Sequence, residues 1–125
     1  MSRFAKAFFT IAVIIFAPAA LACDYPKSVD VPNGKEATKE EMMAGVKAMK
    51  AWQEEVIIYR ECIEEENEAS KAAIDSSDPL DQAAQIAALD RQLLLKYNAS
   101  VDEETELGSE VNEQIRVYNS KKKKD

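Results

Sequence analysis

The side chains able to do chemistry are two cysteines, Cys23 and Cys62, and three acidic clusters, in a chain of 125 residues that contains no histidine. The missing imidazole removes the commonest general base and metal ligand. It also leaves neither cysteine a base to activate it as a nucleophile. The acidic clusters are Glu61, Glu64, Glu65, Glu66 and Glu68, then Asp75, Asp78 and Asp81, then Asp102 to Glu106. Paired acids can hydrolyse or hold Ca²⁺, but none of the three has the D-x-D-x-D-G loop followed by a glutamate. Blocks of like charge are ordinarily solvated faces. The expectation is a protein with no catalytic residue, no metal and no cofactor. Asn98-Ala99-Ser100 matches the N-glycosylation triplet, a pattern of low specificity on a helix-forming stretch and irrelevant in a bacterial chain.

The cysteines gain meaning from what precedes them. Met1 to Lys6 carries Arg3 and Lys6, Ala7 to Phe16 is an apolar run, and Ala20-Leu21-Ala22 stands before Cys23. This is the pattern of a secretory signal peptide over 1–22, and its apolar run is too short to span a bilayer. Cleavage changes the net charge from −7 to −9, and the Lys121 to Asp125 tail is basic on an otherwise acidic body. Such a body does not suit nucleic acid, whose binders present a basic face. The four terminal lysines suit the negative end of a preceding helix, and without an apolar anchor they are marginal for holding a membrane. No second apolar stretch reaches membrane length, so the mature chain is expected to be periplasmic or secreted with no transmembrane segment.

Export favours a Cys23–Cys62 disulfide, because it places both thiols in an oxidising compartment. A helix starting near Thr38 puts Cys62 about 36 Å along its axis. The residues from Cys23 to Thr38 can span about 50 Å when extended, so the bridge is reachable. The competing reading makes Cys23 the lipid-bearing first residue of an envelope lipoprotein. A lipobox resembles Leu three places before the cysteine, however, and here Leu21 stands two before.

Residues 23–37 contain Pro26, Pro32 and a Pro-Asn-Gly turn, and read as an extended arm packed on a helix. Thr38-Lys39-Glu40-Glu41 is a capping box. From there Met42, Val46, Met49, Trp52, Val56, Tyr59 and Ile63 recur at steps of three and four, a helical stripe. Gly45 interrupts it, which points to another segment approaching closely. Ile58 and Cys62 form a narrower line beside the stripe, where the arm is expected to dock. The first helix is expected over 38–74. Ser77 or Asp78 with Pro79 then begins a second over 79–118. One edge of this second helix is Ile86, Leu89 and Leu93; another is Ala83, Ala87, Leu94, Tyr97 and Val101. Gly108 in its acidic middle offers a break, with Ser109 as the cap of a third short helix.

Two helices of similar length with a short connection make an antiparallel hairpin. The predicted fold is all-α: a long, coiled-coil-like two-helix hairpin over 38–119, with an extended N-terminal arm and a basic tail over 120–125. Folding about Ser77 places Trp52 near Asp102 and brings Gly45 and Gly108 to nearly one level, as if the helices approached each other there. A lone hairpin buries little surface, so either the arm and disulfide supply cover or two hairpins join into a four-helix bundle. The width of the second helix favours the homodimer. The expected interaction face is Trp52, Val56, Tyr59, Ile63, Leu93, Leu94 and Tyr97.

The run CDYPKSVDVPNGKEATKEEMMAGVKAMKAW (Cys23 to Trp52), with KYNASVDE and NEQIRVY further on, resembles a group of small exported proteobacterial proteins without established function. The resemblance implies a periplasmic location and an α-helical build, and carries no catalytic residues over. The functional expectation is a non-enzymatic periplasmic structural or protein-interaction module, its partner a second copy or another envelope protein. The alternatives are the lipoprotein anchored through Cys23 and a holdase-type chaperone.

Overall fold

The computed structural model describes residues 23–123. The protein is an all-α hairpin of α1 (Lys39–Ala72) and α2 (Pro79–Lys122) packed against each other. Thr38 caps α1: its hydroxyl accepts from the Glu41 N–H at 3.2 Å, and the Glu41 carboxylate accepts from the Thr38 N–H at 2.7 Å. The expected signal peptide over 1–22 lies outside the described residues, as do the last two residues of the tail.

Helix α1 ends at Ala72, short of the expected residue 74, and Ala73 closes it with an N–H donated to the Ala69 carbonyl. Asp78 caps α2 by accepting from the Leu80 N–H at 2.9 Å, and Pro79 fills the first position, where no donor is needed. No break occurs at Gly108. The lone glycine costs only about 1 kcal/mol, and the buried Leu107 and Val111 on either side hold the helix in the seam. Ser109, expected as a cap, instead donates its hydroxyl to the Thr105 carbonyl inside the helix, at 2.8 Å. The helix also runs on through Ser120, Lys121 and Lys122, into the stretch expected as tail. Lys121 explains this: its ammonium donates to the Lys35 and Ala37 carbonyls of the arm, at 3.2 Å each.

Met42, Met49, Val56 and Ile63 are buried at intervals of seven along α1, the spacing that keeps one seam facing a supercoiled partner helix. Met49, Trp52 and Val56 meet Leu107 and Val111 of α2 in the core. Each fully buried large side chain there stabilises by about 1.5–3 kcal/mol. The arm is a third layer over this end. Its Val29 and Val31 pack against the same core, and the Gly34 N–H donates to Gln114 Oε1 at 2.8 Å. A β-carbon at Gly34 would collide with the Gln114 carbonyl, so the arm crosses α2 where only glycine fits.

Candidate interaction surfaces

Cys23 and Cys62 form a disulfide. The bridge takes the sulfur that a lipid thioether at Cys23 would need. Next to it, Tyr25 sits edge-on to Tyr59, with centroids 4.9 Å apart, and to Trp52, at 6.4 Å. Edge-to-face rings are a favoured aromatic arrangement. Desolvation pushes the Tyr25 phenol up to about 12, helped by the Glu103 carboxylate beside it. The arm therefore lies on the Trp52 and Tyr59 side of α1. The expected dock along Ile58 and Cys62 is corrected: Cys62 is bridged, but Ile58 is 64 % exposed. The aromatic edges and Val29 and Val31 find more apolar surface over the seam than the flank around Ile58 offers.

The register also differs from the simple fold-back. Asn67 Nδ2 donates to Asp90 at 3.1 Å and Gln53 Nε2 donates to Glu104 at 3.1 Å, whereas the expected register put Ala87 and Val101 at those levels. The two glycines accordingly do not meet. Gly45 faces Pro32 of the arm, while the nearest contact to a β-carbon at Gly108 would be Met49 Cε, at 4.0 Å.

A polar network that the hydrophobic pattern hid joins the helices. Arg60 donates to Ser100 Oγ at 2.8 Å and to Glu104 Oε2 at 2.7 Å, and its guanidinium lies 5.4 Å from the Tyr97 ring centroid. Ser100 is 1 % exposed, and its hydroxyl donates a hydrogen bond to the Tyr97 carbonyl at 2.6 Å. Further along, Lys71 pairs with Asp90 at 2.6 Å. That hydrogen bond, with the one from Asn67, lowers the Asp90 pKa, and the Asp90 bond is the main cause raising that of Lys71. An arginine opposite a serine and a glutamate at helical spacing was the available signal. Among the described residues, Trp52 Nε1 is buried without a hydrogen-bond partner.

The residues expected as one interaction face part company. Trp52, Val56 and Ile63 are buried within the protein itself, and Tyr59, Leu93 and Tyr97 are half-buried, because α2 and the arm close over the stripe. Of the seven, only Leu94 is open, at 58 %. The two edges of α2 have largely separated likewise: Ile86, Leu89 and Leu93 of the first are half-buried, while Ala83, Ala87, Leu94 and Val101 of the second stay exposed and its Tyr97 alone is half-buried. Among the described residues no group of three or more His, Cys, Asp or Glu converges to hold a metal ion. No described helix is long and apolar enough to cross a membrane.

The class defined by this geometry is a disulfide-strapped α-helical hairpin. Compared with protein-family models, curated proteins and solved structures, the chain has no match.

Proposed function

We propose that the protein is an exported, non-enzymatic interaction module that presents the outer edge of α2 to a helix of a partner protein. One observation carries the reading. Leu80, Ala87, Leu94 and Val101 recur every seven residues and are all exposed, Leu80 by 82 %. A seven-residue apolar line is what a partner helix packs against, and exposed apolar patches of this kind mark interaction sites. The signal-peptide pattern of 1–22 and the disulfide accord with action in the periplasm. The lipoprotein alternative is the weaker reading, because a Cys23 held in a disulfide has no thiol to lipidate.

Photo-crosslinking in the cell envelope tests this. A photoreactive residue at Leu94 should give one defined protein adduct, and the same residue at Lys50 should not. Adducts of twice the protein's own mass would make the partner a second copy. A diffuse set of adducts, together with suppression of client aggregation in vitro, would move the reading to a holdase. No adduct at Leu94 would overturn it.

A further inference from the structure

The arm has an unused edge. Among the described residues, the backbone of 24–32 enters no hydrogen bond; the first bonded backbone group is the Asn33 carbonyl, which accepts from Glu36 and Ala37. An extended segment normally pairs its N–H and C=O groups with a neighbour, and an open strand edge is a template for another chain. This edge is held ready at both ends. The disulfide fixes Cys23, and the Gly34 to Gln114 bond with the Lys121 clamp fixes the other end. Between them Val29 and Val31 are packed on the core, so the stretch cannot roll over. Such preorganisation removes much of the ordering cost of binding.

Beside the arm runs an open groove of about 740 Å³, with Ala44, Gly45 and Ala48 of α1 as one wall and Lys27 to Asn33 of the arm as another. The small alanine side chains leave room for a second strand. Asp30, Glu36 and Glu41 border it against a single Lys27, so one end is acidic. Pro26 and Pro32 bracket the stretch and lack N–H groups, which confines pairing to the five residues Lys27 to Val31.

We propose that Lys27 to Val31 is a docking strand for an extended peptide segment of a partner protein, added edge to edge in the groove along Ala44 and Ala48. The segment has small residues facing α1 and a basic residue at the Asp30 and Glu36 end. Backbone pairing supplies the attachment, and the alanine wall selects against large side chains. This surface is distinct from the α2 edge and does not depend on it.

The experiment is amide exchange by NMR on the bridged exported chain, with a panel of short peptides alternating Val or Thr with Ala and carrying one Lys. Exchange at amides within Lys27 to Val31 should slow by about tenfold or more, with shifts at Ala44 and Ala48. N-methylation of alternate peptide residues should abolish this in one of the two registers. Lys27→Pro and Ser28→Pro remove donors on opposite edges of the stretch, neither of which bonds within the chain, so one of the two should weaken binding about tenfold and the other should not, with the melting temperature in place for both. Protection by no peptide of the panel, or equal binding by both methylated registers, would overturn the proposal. Shifts at Leu94 and Val101 instead would overturn it while supporting the α2 surface.

Discussion

Pro32 lies directly over Gly45: a β-carbon at residue 45 would stand 2.5 Å from Cγ and Cδ of the proline ring. The ring is rigid, and the arm that carries it is fixed at both ends. Gly45→Ala should therefore lower stability, since overpacking of about 1–3 kcal/mol outweighs the roughly 1 kcal/mol gained in helix propensity. Gly108→Ala meets only Met49 Cε at 4.0 Å, and should raise stability by up to about 1 kcal/mol. Opposite shifts in the denaturation midpoint are the expected result.

The disulfide closes a separation of 39 residues. Cys62→Ser should cost about 2–4 kcal/mol, the chain-entropy value for such a loop being near the top of that range. A reductant should lower the midpoint of the wild type similarly and leave the variant unchanged. A Cys62→Ser protein as stable as the wild type would mean that packing alone holds the arm.

Among the described residues Arg60 and Glu104 form the most buried ion pair between the helices, at 2.7 Å with side chains 15 % and 27 % exposed. A double-mutant cycle of Arg60→Met and Glu104→Gln should give a coupling of about 1 kcal/mol. Arg60→Met alone should cost more, because Ser100 also loses a donor. A coupling near zero would show the pair to be solvent-screened.

Acid should loosen the hairpin through three carboxylates. Hydrogen bonds from Thr38 lower the pKa of Glu41, from Lys71 that of Asp90, and from Arg116 that of Glu113. A lowered folded-state value contributes stability that is present above the unfolded value and lost as pH falls through the folded one. For Asp90 the loss belongs below its ordinary 3.8. Urea midpoints at about pH 6 and about pH 3 should differ less in Asp90→Asn than in the wild type.

Alkali should act through Tyr25. Its folded value of about 12 lies above the ordinary 10.0, so the associated stability is full below pH 10 and is lost as pH rises through 12. Tyrosinate absorbance should show one late-titrating phenol. Tyr25→Phe should remove that step and weaken the alkaline unfolding.

Much of the hairpin was legible because its signals are local. Thr38 and Glu41 form a capping box by spacing alone, Pro79 starts a helix wherever it follows Asp78, and the Met42 to Ile63 stripe needs only helical periodicity. The arm's position was not local. It rests on a competition between the Ile58 flank and the Trp52 and Tyr59 edges, decided by which surface α2 leaves uncovered. The expected interaction face divides for the same reason: an apolar stripe reads alike whether its partner is internal or external. Leu93 and Leu94, adjacent in sequence, fall on opposite sides of that distinction.

The arm gives the rod a three-layered end and a two-layered end. Among the described residues, α2 contributes no buried side chain before Ser100, and the last buried residue of α1 is Asn67. In most helical hairpins the tight turn is the secure end and the free termini fray. Here the polarity is reversed, so opening should start at the turn around Ser77 and travel towards the bridge, as an unlatched clasp swings on a fixed hinge.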